Sequence, residues 1–140
     1  MTLVRELLSE LERNVVLLSQ LASQSREEFT GDPRHYLLAE RCFQLAIQCV
    51  LDIGFYLAAQ KGWQRPDDSR EAILTMGRQG VLPPEFAQRI QGMANFRNVL
   101  VHAYLGINRD LVYDYLSRLD DFTEFSRHIE AYVTADSGRS

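Results

Sequence analysis

The chain has 140 residues, 46% of them hydrophobic and 24% charged, with a formal net charge of −4. That suits one globular domain with enough apolar material for a core, rather than a chain disordered throughout or a two-domain enzyme. A mildly acidic total also excludes a broadly basic nucleic-acid binder, so any contact with nucleic acid has to be local.

The N-terminal stretch "MTLVRELLSELERN" has no basic start, apolar centre or small-residue cleavage site, so no signal peptide is expected. No unbroken apolar run reaches the ~18 residues a membrane span needs. Cys42 and Cys49 fall seven apart on one expected helix. The rise between them is roughly 10 Å, beyond the ~7 Å Cα separation a disulfide tolerates. Reduced core thiols in a cytoplasmic protein with no membrane segment are the expectation.

Apolar residues recur at three- and four-residue spacing almost throughout, and no segment alternates as a strand does. The first helix is predicted from Thr2 to Ser25, with Val4, Leu7, Leu8, Leu11, Val15, Leu18 and Ala22 as its stripe, and "SREEFTGD" breaks it. A long second helix opens with Asp32 as N-cap and Pro33 as first helical residue, and stops at Gly62. Apolar residues go most of the way round it, which predicts a central helix. A short third helix over Ser69 to Gln79 comes next, with a capping box from Asp68 to Glu71 and Gly80 as terminator. The fourth starts near Pro84 and runs to a stop at Gly106. The fifth opens at Asn108, with Val112, Tyr115, Leu119, Phe122, Ile129 and Val133 facing inward. These elements predict an all-α fold: an antiparallel bundle of four long helices and one short one. Residues 1–134 form its single domain, and 135–140 are a disordered polar tail.

On the fourth helix, Phe86, Ile90, Met93, Leu100 and Tyr104 fall in one arc, and Arg97 fills the gap in that arc. An unpaired charge there would cost several kcal/mol, so Arg97 has a buried partner or faces a cleft or a second subunit. His102, in the expected last turn, lies about 140° round from Arg97, on an arc with Asn95 and Asn98. Asn98 is in register to orient the imidazole, and the helix dipole favours its protonated form. A plain helix-end cap is the alternative for His102, and a core tyrosine with its hydroxyl at the rim is the alternative for Tyr104. Arg97 and His102 diverge on a regular helix, so their joint use requires a loosened helix end, a long reach by Arg97, or a twofold dimer. On the second helix Arg41, Gln44, Gln48 and Asp52 form a polar stripe. Asp52 is in register to pair with Arg97, and a surface aspartate is the equal alternative.

His35, His102 and His128 are on separate segments, and no H-x-x-x-H or C-x-x-C is present, so no metal is expected. His35 and His128 read as surface residues. The glycines are scattered singly and form no phosphate-cradling loop.

Arg97, Asn98, His102 and Tyr104 together spell R-N-x-x-x-H-x-Y, which resembles the signature of HEPN-domain ribonucleases, specifically the HepT-like toxins of HepT/MntA toxin–antitoxin pairs. The block "AERCFQLAIQCVLDIG", residues 39 to 54, is similar to that family's second helix, and the likeness covers roughly residues 1 to 134. The resemblance implies a metal-independent endoribonuclease toxin of a type VII-like pair, needing no cofactor. Its products would be a 2′,3′-cyclic phosphate and a free 5′-hydroxyl. His102 would move protons and Arg97 would stabilise the phosphorane charge. Asn98 and Tyr104 would support the site or bind RNA, with Asp52 a weaker supporting candidate. Tyr104 would also accept AMP from an MntA-like nucleotidyltransferase antitoxin. The resemblance further implies a homodimer whose cleft holds two copies of the motif. The rival reading is a non-catalytic HEPN-like nucleotide-binding or accessory module beside a nucleotidyltransferase. A purely structural four-helix protein leaves Arg97 unexplained.

Overall fold

The computed structural model describes residues 1–102, 105 and 108–138, and every regular element among them is helical. Helix α1 (Thr2–Ala22) buries Val4, Leu8, Leu11 and Leu18 at helical spacing. Its stripe also contains Asn14, whose amide donates to the Glu10 carbonyl at 2.9 Å and so enters the core satisfied. Ala22, expected on the inner face, is exposed, and Leu21 is buried instead.

The stretch expected only to break the first helix folds into a short helix of its own, α2 (Arg26–Thr30). The reason is local. Ser25 accepts from the Glu28 N–H while the Glu28 carboxylate accepts from the Ser25 N–H, a reciprocal cap that favours a helix start where Ser and Glu stand three apart. Phe29 then anchors it in the core.

Helix α3 (Pro33–Lys61) starts and stops where the sequence predicts. The Asp32 carboxylate accepts the Arg34 N–H at 2.9 Å, and Gly62 ends the helix at φ 68°, where a side chain would be strained. By length and mean hydropathy α3 has an 18-residue window apolar enough to cross a membrane, although no unbroken apolar run is that long. However, 61% of that window is buried inside the fold, as befits a central core helix.

Helix α4 (Ser69–Arg78) is capped by Asp68, which accepts the Glu71 N–H at 2.8 Å. Two glycines let its neighbours come close. A Cβ on Gly54 would meet the Ala72 carbonyl at 3.0 Å, and one on Gly77 would meet the Ala87 Cβ at 2.7 Å.

The predicted fourth helix is two: α5 (Pro84–Ile90) and α6 (Met93–Val101), separated at Gln91 and Gly92. Gly92 carries the intrinsic cost of glycine in a helix, about 1 kcal/mol against alanine, and the break still leaves Phe86, Ile90, Met93 and Leu100 buried. The fifth is interrupted as well. After α7 (Arg109–Tyr115), a 3₁₀ turn at Leu116–Arg118 leads into α8 (Leu119–Ser137). Three residues in tighter 3₁₀ winding rotate the phase of α8 by roughly 60°. This brings the stripe of Phe122, Ile129 and Val133 toward the side of Val112 and Leu116. Helix α8 also runs into the tail expected to be disordered, where Lys61 at the end of α3 holds Asp136 in an ion pair.

Long-range contacts give the direction of each segment. Arg5 meets Glu130 at 3.1 Å, Lys61 meets Asp136, and the Arg109 guanidinium lies 4.1 Å over the Tyr36 ring. Arg89 on α5 meets Glu124 at 2.8 Å while Phe96 on α6 meets Tyr115, so α5–α6 runs against α7–α8, and α1, α3, α5–α6 and α7–α8 alternate in direction along the chain. At the centre Phe43 packs edge-on against Phe96 and Tyr115, and Phe96 stacks on Tyr115 at 3.9 Å. Burial pushes the Tyr115 hydroxyl up to about 12.

His35 and His128 are half-buried rather than surface residues. His35 Nδ1 donates to the Glu28 carbonyl at 3.0 Å, and its Nε2 accepts from the Gln24 amide at 3.0 Å, tying α2 to the start of α3. His128 Nε2 bonds Glu124 at 3.1 Å beside the Phe86 ring.

This packing sets two expected outcomes. Phe43→Ala should lower unfolding stability by ~3–5 kcal/mol, the range for an aromatic lost from a filled core, measurable by urea titration at unchanged helical content. Both cysteines are buried, and burial, with Glu10 and Asp52 adding, pushes the Cys49 thiol up to about 11. Neither should therefore react quickly with Ellman's reagent at pH 8 in the native protein, and both should react once it is denatured.

Candidate active site

Helix α6 presents the motif. Met93, Phe96 and Leu100 sink into the core and fix the helix against α3, which leaves Arg97 half-buried on the shoulder of that contact. Its Nε donates to Gln48 Oε1 on α3 at 3.0 Å. Gln48 Nε2 in turn donates to Asp52 Oδ1 at 2.7 Å, one turn further along α3. Of the two readings the sequence left open for Asp52, a direct pair with Arg97 or a surface aspartate, the structure has the exposed aspartate, with Gln48 touching the guanidinium and Asp52 behind it.

Among the described residues this is the one hydrogen bond of Arg97, and it is made through Nε rather than through either Nη. Arg41, also on the α3 stripe, bonds Gln44 at 3.3 Å on the exposed surface.

His102 is the C-cap of α6, one residue beyond the last helical residue, with φ −99° and ψ 23°. The helix expected to continue to Gly106 stops at Val101. The His102 N–H bonds the Val99 carbonyl at 3.2 Å, and its own carbonyl accepts the Leu105 N–H at 2.9 Å, so the chain is tightening out of α-helix there. Its side chain is exposed. Asn98 is exposed too, and with Asn95, Arg70, Gln91 and Gly92 it lines a hollow of about 510 Å³ between the start of α4 and the outer face of α6. Tyr104 and Gly106 lie outside the described residues.

Sequence reasoning missed Gln48 as the immediate partner, although its place in the stripe with Arg41, Gln44 and Asp52 was visible. Helical spacing gives the face of a side chain but not the separation of two helices, and it is separation that puts Gln48 rather than Asp52 in contact. Nothing local could have shown the hollow, because α4 must fold beside α6 to form it. Among the described residues, no three His, Cys, Asp or Glu side chains converge as a metal site would require.

Comparison with known proteins bears on the family and the fold. The family model described as "Ribonuclease HepT-like" matches residues 8–129. The tRNA nuclease HepT of Aphanizomenon flos-aquae is 26% identical over 117 residues, 83% of this chain and 80% of that protein. The mRNA nuclease HepT of Shewanella oneidensis is 26% identical over 110 residues, 78% of this chain and 80% of that protein. Among solved structures, the tri-AMPylated HEPN toxin of Shewanella oneidensis in complex with MNT antitoxin superposes with a TM-score of 0.82. It is 20% identical and covers 91% of this chain and 96% of that one, a likeness of fold. With the family model spanning most of the chain and the helices arranged as in that toxin, the chain belongs to the HepT-like ribonuclease family.

Proposed function

We propose that the chain is the ribonuclease toxin of a toxin–antitoxin pair, cutting RNA in the cytoplasm without a metal ion. The observation that carries this reading is Arg97. It is a half-buried guanidinium that, among the described residues, is held through Nε by one neutral acceptor, five residues before an exposed histidine at a helix end. Such a cation is placed to bind phosphate and stabilise charge as a phosphorane forms. His102 supplies an imidazole, a group able to take up and give back a proton. The ribose 2′-hydroxyl would attack the adjacent phosphate, its proton would pass to a base, and the 5′-oxygen would leave with a proton from an acid. A cyclic phosphate and a 5′-hydroxyl result. Asn98, at the hollow beside α4, would hold a flanking nucleotide.

One motif histidine per chain cannot serve as acid and base at once, which favours a homodimer cleft with two copies. The surface around the motif supports that arrangement. Leu37 shares the α3 stripe with Arg41 and Gln48, Val101 lies one turn after Arg97, and Leu105 comes after His102. Their exposures are 56%, 39% and 73% in the single chain, apolar surface that a second copy would cover. The nuclease names of the two HepT relatives support RNA as substrate. The AMPylated relative bound to MNT antitoxin supports a nucleotidyltransferase partner that attaches AMP to Tyr104. AMP on Tyr104, two residues after His102 in the sequence, would add bulk and negative charge that oppose the binding of RNA.

Purified protein incubated with total RNA in EDTA should cut it, leaving cyclic-phosphate ends. Arg97→Ala should slow cutting ~10²–10³-fold, as for loss of an oxyanion donor, and His102→Ala by ~10²–10⁴-fold. Intact RNA together with tight nucleotide binding would instead favour an accessory module. Co-expression with a neighbouring nucleotidyltransferase should add AMP mass to the peptide carrying Tyr104 and abolish cutting, and an unshifted peptide would refute the modification.

A further inference from the structure

An arginine on the shoulder of a core contact needs an acceptor, and a carboxylate would bind it most strongly. Asp52 stands one helical turn from the right place, yet the side chain that touches Arg97 is Gln48. We propose that Gln48 is a positioning residue that fixes the Arg97 guanidinium without neutralising it, and that Asp52 acts behind it to lock the amide in the one orientation that accepts from Arg97. This deepens the ribonuclease reading and rests on it.

The chemistry of the three groups allows only one arrangement. A guanidinium only donates and a carboxylate only accepts, so an amide between them must turn its oxygen to Arg97 and its nitrogen to Asp52. The bonds at 3.0 Å and 2.7 Å have that sense. Both ends of the relay are rigidly mounted. Gln48 lies between Ile47 and Cys49 on α3, both buried, and Arg97 adjoins Phe96, which is stacked in the aromatic core. Contact through Nε leaves the edge formed by Nη1 and Nη2, the two parallel donors that match two phosphate oxygens. The spacer also weakens the carboxylate: at about twice the contact distance, the Coulomb pull of Asp52 is about halved. A direct ion pair would instead cancel the charge that RNA has to find.

The test separates holding from neutralising. Full-length wild type, Gln48→Ala, Gln48→Glu, Asp52→Asn and the double variant Gln48→Glu/Asp52→Asn are compared in two measurements. One is kcat and KM on a fluorogenic RNA at pH 8, over a range of salt. The other is the ¹⁵N resonance and solvent exchange of the Arg97 Nε–H, assigned by its loss in Arg97→Lys. Gln48→Ala should speed Nε–H exchange and lower kcat by roughly tenfold, a fraction of the full loss of such a donor. Gln48→Glu should keep the Nε–H protected, yet raise KM on the order of tenfold and flatten its salt dependence, because one phosphate contact has lost its cation. The double variant should behave like Gln48→Glu, since it keeps the carboxylate on Arg97 and removes only the repulsion from Asp52. Asp52→Asn, whose amide holds Gln48 less firmly, should lower kcat by about threefold, the worth of one hydrogen bond, and speed Nε–H exchange less than Gln48→Ala does; wild-type exchange and kcat in Asp52→Asn would overturn the locking role of Asp52. Melting temperatures serve as the check on folding.

Wild-type kcat and KM in Gln48→Glu and in the double variant would overturn the claim that neutrality matters. Unchanged Arg97 exchange in Gln48→Ala would overturn the contact itself. A wild type that cuts no RNA would overturn the ribonuclease reading and with it any role for Gln48 in cleavage, whereas a cutting wild type with unimpaired Gln48 variants removes only the positioning role.

Discussion

A guanidinium cannot sit beside a hydrophobic core without an acceptor, and in this chain that acceptor comes from a different helix. Arg97 is carried on a helix whose other inward residues, Met93, Phe96 and Leu100, are buried, and it reaches Gln48 on α3. Desolvation of the charge is kept partial because the side chain stops at the shoulder of the interface. Among the described residues, the bond through Nε is what holds it. The rest of the site depends on this arrangement: it sets where the cation points and, on the proposed ribonuclease reading, which face of the bundle would meet RNA or a second copy.

The aromatic centre makes the arrangement possible. Phe43 on α3 meets Phe96 on α6 and Tyr115 on α7, so three segments are clamped within one residue of Arg97. The two interruptions in the long helices work with that clamp. The break at Gln91 and Gly92 lets α6 settle on α3 independently of α5, and the 3₁₀ turn at Leu116–Arg118 re-phases the last helix so that both of its halves bury apolar residues. Ending α6 at Val101 puts His102 at a cap rather than on a regular turn.

Much of the fold was legible because caps and periodicity are local. Asp32–Pro33 and Gly62 bound α3, Asp68 starts α4, and Asn108 starts α7, each by a side chain or a glycine acting within a few residues. The helix breaks were not legible in the same way. A lone Gly92 is tolerated in many helices, and whether it ends one depends on what the flanking turns pack against. The reciprocal cap of Ser25 and Glu28 is legible in principle, but its helix is too short for periodicity to mark it as more than a break. For the histidines, composition suggested surface residues, whereas packing made His35 and His128 half-buried joints.

By itself, the sequence determined that the chain is helical, where its main helices begin, that α3 is central, and that Arg97 interrupts an apolar stripe. Each of these comes from 3.6-residue periodicity and from capping groups that act through neighbouring backbone. Only the tertiary structure decided that Gln48 and not Asp52 touches Arg97, that Asn98 opens on a hollow beside α4, and that α6 stops before His102. Those facts depend on how far apart two helices lie and how their packed side chains mesh, and a distance between segments is not written in the spacing of residues along either one.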